Sequence, residues 1–151
     1  MKLITVLNGP NLNMLGLRQP EIYGAATLDD VEALCAETAD RLNLAIDFRQ
    51  SNIEGELVSW IQEARGRSHG IIINPAGYTT TSIAILDALL IAEQPVIEVH
   101  ITNIHRREEF RQHSYVSKVA TGVICGLGVT GYALAIRAMA GLLADQQDED
   151  A

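Results

Sequence analysis

The apolar positions of the chain fall into short runs separated by longer periodic stretches. Leu3–Leu7, Leu44–Phe48, Gly70–Asn74, Val96–Ile101 and Gly122–Cys125 are rich in Val and Ile and do not alternate with polar residues. That is the pattern of strands buried on both faces. Helical spacing fills the intervals. Thr27 is a good N-cap, with Asp29 and Asp30 in the first turn and Leu28, Val31, Leu34, Cys35 and Leu42 recurring behind it. Glu54–Arg65 carries Leu57, Ile61 and Ala64 on one stripe. Thr81 or Ser82 opens a third helix that runs to about Glu93, before Pro95. Gly131 precedes a fourth, ending near Leu143, and a shorter helix is expected after Asn103.

Strand and helix alternating five times predict an α/β fold with a doubly wound, five-stranded parallel sheet and helices on both faces. Right-handed crossovers make the flavodoxin-like strand order 2-1-3-4-5 the leading choice. No repeat or linker divides the 151 residues. A single domain over residues 1–144 is expected, followed by an acidic tail, 145–151, read as disordered. From Ile83 to Ala92 the only charge is Asp87, and no polar face remains. Such a helix must be covered on more than one side, so a subunit interface is expected there.

Composition narrows the function. Hydrophobic residues make up 48% and charged residues 20%, too apolar for intrinsic disorder. Eleven Lys and Arg face 19 Asp and Glu, a net charge of −8. Four of those acids lie in the tail, leaving the body at about −4. An acidic body with 5% aromatic residues excludes nucleic acid as a partner, because binding it means neutralising phosphates with clustered cations. An anionic membrane surface is excluded on the same ground. The longest apolar segment, Tyr132 to Ala144, is interrupted by Arg137 and Gly141 and falls short of the roughly 18 residues a bilayer span needs. The apolar N-terminal run is too short for a signal peptide. Cys35 and Cys125 stand far apart in apolar surroundings, outside any CxxC or Cys/His cluster. They predict buried free thiols in a reducing cytoplasm, with no metal site.

In doubly wound folds ligands bind beyond the carboxyl ends of the strands. The loop after the first strand spans about 20 residues, a length typical of lids and binding loops, and it carries Arg18 and Tyr23. A guanidinium beside a phenol stabilises the phenolate, which could remove a proton alpha to a carbonyl. The alternative is a tyrosine packed at a loop base with a solvated arginine. Glu98 and His100 share one face of the fourth strand. A carboxylate beside an imidazole stabilises the imidazolium and suits a general acid; a structural histidine is the alternative. Gly126-Leu127-Gly128-Val129-Thr130-Gly131 reads as GxGxxG, but no ribose-binding acid can follow it at the expected spacing. The only lysines, Lys2 and Lys118, are not at strand carboxyl ends, which argues against an imine. His69 and His113 read as surface residues, His105 as a helix-start or near-site residue, and Trp60 as core or interface.

Several motifs together resemble the type II 3-dehydroquinate dehydratases (type II dehydroquinases). They are Asn8-Gly9-Pro10-Asn11-Leu12-Asn13 with Arg18 and Tyr23-Gly24, Gln50-Ser51-Asn52, Asn74-Pro75, Glu98-Val99-His100, Arg107 to Tyr115, and Gly126-Leu127-Gly128 with Gly131-Tyr132. The resemblance runs in order from about Leu3 to Leu143. It implies a cofactor-free hydro-lyase that reversibly dehydrates 3-dehydroquinate to 3-dehydroshikimate by anti elimination through an enolate, without a Schiff base. The implied context is the shikimate pathway of aromatic amino acid biosynthesis, or quinate catabolism. The implied assembly is a dodecamer, a tetramer of trimers. By position, the resemblance makes Tyr23 the base, held near the phenolate by Arg18. Asn11 stabilises the enolate through a water, and His100, set by Glu98, is the acid. Ile101 and Thr102 bind the substrate carboxylate, and Asn74 and Arg111 hold ring hydroxyls. Arg107 anchors the lid region, and Asp87 reaches a neighbouring subunit's site. One departure stands out: Thr79-Thr80-Thr81 places Thr80 where the family usually has His. Two other readings compete: a lyase for another cyclic hydroxy-keto acid, and a non-catalytic flavodoxin-like binding module.

Overall fold

The computed structural model describes residues 1–17 and 19–150, with Ile22 and Tyr23 described as backbone alone. Five parallel strands, β1 (Lys2–Asn8), β2 (Leu44–Gln50), β3 (Gly70–Asn74), β4 (Val96–His100) and β5 (Gly122–Cys125), form one sheet in the order β2-β1-β3-β4-β5. The flavodoxin-like order expected from the sequence is the observed one. The helices are a short α1 (Pro20–Tyr23), then α2 (Leu28–Arg41), α3 (Glu54–Ala64), α4 (Ile83–Ala92) and α5 (Thr130–Asp150).

Side-chain caps fix where α2 and α4 start. At α2 the Thr27 hydroxyl accepts from the Asp30 N–H (3.2 Å) and the Asp30 carboxylate accepts from the Thr27 N–H (2.9 Å), a reciprocal capping box. Ser82 rather than Thr81 caps α4, its hydroxyl accepting from the Ile85 N–H at 2.9 Å. Helix α4 ends at Glu93, which adopts a left-handed conformation (φ 72°) before Pro95.

The sheet separates two apolar layers. Val31, Cys35 and Ala39 of α2, with Tyr132, Ala135, Ile136 and Met139 of α5, pack on Ile4, Val6, Ile72, Ile97 and Val99. Leu57, Ile61 and Ala64 of α3, with Ile85, Ala88, Leu89 and Ala92 of α4, pack on Leu7, Ile71, Ile73 and Val96. Each large aliphatic side chain buried this way stabilises the fold by about 1.5–3 kcal/mol. Strands β3 and β4 are buried at every position, as their Val- and Ile-rich runs predict, and in β4 this takes Glu98 and His100 inside as well. Strands β2 and β5 depart from that expectation. They are the sheet edges, and apart from Leu44 their residues are half-buried or exposed. At the β2 edge Arg49 forks between Asp47 (2.9 Å) and Glu63 (3.0 Å) and lies 5.4 Å from the centroid of the half-buried Trp60 ring. Trp60 is thus packed against the α3–α4 layer, in keeping with a core or interface role.

Two other expectations need correction. The segment read as a disordered tail continues α5 as an exposed helix to Asp150. Once a helix is nucleated, each further residue adds a hydrogen bond at little cost, and Ala144, Gln146, Gln147 and Glu149 are good helix formers. The thiols also differ from the uniform burial expected. Cys35 is buried, which together with Glu32 pushes its thiol up to about 12, whereas Cys125, on the edge strand, is half-buried. Both are free. Helix α4 buries Ile85, Ala88, Leu89 and Ala92, while Ile83, Leu90 and Ile91 stay more than half exposed in the single chain. Among the described residues no helix is long and apolar enough to cross a membrane.

The carboxyl ends of β1 and β3 approach each other closely. The Gly9 N–H donates to the Asn74 carbonyl at 2.8 Å. A Cβ at Gly9 would lie 2.3 Å from the Pro75 carbonyl oxygen, and backbone cannot yield as a flexible side chain can. Gly9→Ala is therefore expected to destabilise the protein by about 1–3 kcal/mol, read as a lowered urea midpoint with an unchanged m-value. A midpoint equal to that of the wild type would show that the two loops part without cost.

Candidate active site

A cleft of about 260 Å³ opens at the carboxyl edge of the sheet. Asn11 reaches it from the loop after β1, Asn74 from the end of β3, Thr79 and Thr80 from the segment that follows, and His100, Ile101 and Thr102 from the end of β4. Arg107 and Arg111 come from the turns that follow. The described lining thus carries two guanidinium groups and no carboxylate, which favours an anionic ligand. All the candidate residues expected from β3 and β4 and the turns after β4 meet here, with Glu98 directly beneath.

His100 and Glu98 are adjacent on one face of β4, and His100 Nε2 bonds to Glu98 Oε2. Glu98 is fully buried, and its Oε2 also accepts from the Ser114 hydroxyl (2.8 Å) and its Oε1 from the Ser117 hydroxyl (2.5 Å). Burial alone pushes a carboxyl upward. Here the bonds from His100, Ser117 and Ser114 outweigh it and hold Glu98 below the ordinary carboxylate range. The carboxylate therefore stabilises the folded state above that range, and this contribution drains away as pH falls through the lowered value. His100 itself is 5% exposed and faces the cleft.

A second buried network sets Asn74. Its side-chain carbonyl accepts from the Ala76 N–H (3.1 Å) and its amide donates to the Tyr132 hydroxyl (2.9 Å). That hydroxyl donates to the Asn8 side-chain carbonyl, Oδ1 (2.7 Å), and the Asn8 side-chain amide donates to the Arg49 backbone carbonyl (3.0 Å). The chain of bonds joins β2, β1, α5 and β3 beneath the cleft. Burial holds the Tyr132 phenol above its ordinary range, so it remains a donor. Ala76, which follows, adopts φ 51°, a left-handed conformation costing roughly 1–2 kcal/mol in a residue with a Cβ. It persists because the Asn74 side chain holds its N–H.

The first loop is fixed from β2. The Gln50 amide donates to the Gly9 carbonyl (3.1 Å) and to the Asn52 side-chain carbonyl (3.1 Å), and the latter also accepts from the Asn11 N–H (2.9 Å). The Tyr78 hydroxyl donates to the Asn52 backbone carbonyl at 2.7 Å. Asn11, at φ 70°, is thereby presented to the cleft in a left-handed turn. Gln50, Asn52 and Tyr132 belong to the motifs quoted above, but spacing alone gives them no role, since their partners lie on other strands.

The glycine-rich turn after β5 serves packing. Gly126 N–H donates to the His100 carbonyl (3.3 Å) and Gly128 N–H to the Ile101 carbonyl (3.0 Å). Gly126 sits at φ +87°, where a Cβ would lie 2.9 Å from Asn103 Cβ. These contacts hold the backbone of residues 100–102 in place. Arg111 donates to Glu108 at 2.5 Å and lies 5.0 Å from the Phe110 ring centroid. This ion pair holds the Glu108 carboxyl below its ordinary range.

Some candidates stand apart. Asp87 is on the exposed face of α4, outside its own chain's cleft. Arg18 lies outside the described residues, and Tyr23 is described as backbone only, at the end of α1. Neither lysine lines the cleft: Lys2 donates to the Leu143 carbonyl (3.3 Å), and Lys118 is exposed at the end of the turn Val116–Lys118. His105 and His113 are exposed, and His69, also exposed, accepts from the Leu3 N–H at its Nδ1 (3.2 Å).

Comparison with known proteins follows the same lines. The family model for Dehydroquinase class II matches residues 2–140. A 3-dehydroquinate dehydratase of Brucella canis is 58% identical over 147 residues, covering 97% of this chain and 94% of that protein. The crystal structure of a type II dehydroquinase from Propionibacterium acnes superposes with a TM-score of 0.90 at 48% identity, covering 93% of this chain and 97% of that one. A 3-dehydroquinate dehydratase-like protein from Bifidobacterium longum is more distant, with a TM-score of 0.72 at 34% identity over 95% of this chain and 99% of that one.

The Tyr132 network yields a test of its own. Tyr132→Phe removes one hydroxyl and leaves the Asn8 carbonyl and one Asn74 N–H unpaired in the interior, a loss of about 1–3 kcal/mol. A lowered Tm by calorimetry is expected, with secondary structure retained. An unchanged Tm would show that the network contributes nothing to the fold.

Proposed function

The chain belongs to the class II dehydroquinases, and from that premise we propose that it dehydrates 3-dehydroquinate to 3-dehydroshikimate by anti elimination through an enolate. The observation that carries the mechanism is the buried Glu98 carboxylate bonded to His100, which lines a cleft with arginine and amide side chains. An ionised carboxylate stabilises an imidazolium, and Glu98 engages Nε2, so Nδ1 is the atom that would protonate the departing C1 hydroxyl.

The base is Tyr23. It takes the proton from C2, made acidic by the C3 carbonyl, and Arg18 lowers the cost of its phenolate. Asn11 stabilises the enolate oxygen through an ordered water. Its backbone N–H is already engaged by Asn52, so the side chain is the group that acts. Ile101 and Thr102 bind the substrate carboxylate through their backbone and the Thr102 hydroxyl, Asn74 and Arg111 hold ring hydroxyls, and Arg107 anchors the region around the lid. Thr80, in the lining, takes the place of the family's usual His with a shorter reach. No imine forms and no cofactor is needed.

The working form is an assembly, a dodecamer of four trimers. The support for self-association is the exposed apolar face of α4, where Ile83, Leu90 and Ile91 surround Asp87. An interface there would bury that face and give Asp87 a neighbour's cleft to reach. The enzyme works in the cytoplasm, in the biosynthetic shikimate pathway or in quinate breakdown.

The test is the rise of conjugated-enone absorbance when purified protein meets 3-dehydroquinate with chelator present and nothing else added. Turnover is expected. Tyr23→Phe is expected to lower kcat by at least about 100-fold, in the range that general bases contribute, with the assembly intact. Near-normal kcat in that variant would remove Tyr23 from the base role, and no turnover by the wild-type protein would overturn the activity.

A further inference from the structure

Glu98 carries a full charge inside the sheet, so its solvation must come from the protein. It is 0% exposed. Its register neighbours are Ile73 on β3 and Val123 on β5, whose side chains have nothing to donate. His100 supplies one bond. The others come from two serines outside the sheet, in the segment that leads to β5: Ser114 to Oε2 at 2.8 Å and Ser117 to Oε1 at 2.5 Å. The Ser114 hydroxyl also accepts from the Ser117 N–H at 3.1 Å. A hydroxyl that accepts there has its single proton free to point at the carboxylate.

That segment is held independently of any ligand. The Tyr115 N–H donates to the Thr79 carbonyl at 3.0 Å, tying it to the cleft wall. Val116 is fully buried against the α3–α4 layer, and the Val119 and Ala120 N–H groups both return to its carbonyl. Among the other ionisable groups of the neighbouring elements, Cys125 on β5 is the register neighbour of His100 rather than of Glu98. Lys118 and Asp87 are exposed, and Arg107 and Arg111 line the cleft.

We propose that Ser114 and Ser117 are positioning residues of the reaction: their hydroxyls keep Glu98 ionised, so that the one proton shared by the Glu98–His100 pair rests on the imidazole. This rests on the reading of His100 as the acid. The effect has a definite sign. The hydroxyls stabilise ionised Glu98 against proton uptake, so they hold its protonation to lower pH. Loss of the proton from the acid leaves Glu98 ionised on both sides of the step, so the alkaline limb of the kcat/KM profile does not depend on them.

The experiment follows the carboxylate-to-acid infrared transition of Glu98 against pH, by difference from the matching Glu98→Gln, together with the pH profile of kcat/KM, for the wild type, Ser117→Ala and Ser114→Ala/Ser117→Ala. The transition is expected to move upward by about one pH unit in the double variant, since hydrogen bonds of this kind shift carboxylates on that scale. A smaller move is expected in Ser117→Ala, an unmoved alkaline limb of kcat/KM in both, and wild-type behaviour in Ser117→Thr, which restores the hydroxyl. A transition that stays in place while Tm falls makes the serines merely structural and overturns the proposal; if the double variant does not fold, Ser117→Ala decides. His100→Asn separates the two levels. Turnover retained there overturns the acid assignment together with this proposal, whereas turnover lost there with an unmoved transition in the serine variants overturns the serine role alone.

Discussion

A buried carboxylate on a central strand is the constraint around which this molecule is arranged. A charge at Glu98, between the Ile and Val side chains of β3 and β5, costs several kcal/mol unless the protein replaces the water it loses. The replacement comes from three donors on two segments, His100 on the same strand and Ser114 and Ser117 on the turn before β5. Meeting that demand places the imidazole at the strand end, draws the 114–118 segment against the sheet, and through Tyr115 ties it to the wall of the cleft. The stability of this corner and the ionisation of its carboxylate are therefore the same fact.

The opposite side of the cleft obeys a similar rule with neutral groups. Asn8, Tyr132 and Asn74 close a hydrogen-bonded chain inside the core, and every link removes a polar group that would otherwise be buried unpaired. The Gln50–Asn52 contacts extend it to the first loop. The cleft is thus bounded by rigid backbone at the ends of β1, β3 and β4. Such pre-set geometry suits a reaction in which proton donor, amides and cations must act together around one ring.

Much of this was legible in the sequence, for identifiable reasons. Val- and Ile-rich runs between capped helices gave the parallel sheet and its order. The i, i+2 spacing of Glu98 and His100 placed both on one face, because strand geometry leaves no other choice. What stayed hidden depended on contacts between segments distant in the chain. Ser114 and Ser117 look like ordinary turn residues until the fold sets them over Glu98. Tyr132 reads as one more apolar residue of α5 until Asn8 and Asn74 flank its hydroxyl. The exposure of β2 and β5 is a property of sheet order, and composition along those strands does not encode it. The helical extension of α5 escapes a reading by composition, because clustered acids suggest disorder while a nucleated helix can carry exposed acids onward.

The central claim is that Glu98 is an ionised carboxylate at neutral pH, and infrared difference spectroscopy of the wild type against Glu98→Gln reads it directly. The expected result is a carboxylate signal at pH 7 that gives way, on acidification below the ordinary carboxylate range, to the carbonyl stretch of a protonated, buried acid. A protonated-acid band already present at pH 7 would contradict the account, because a neutral Glu98 could not hold a proton on His100.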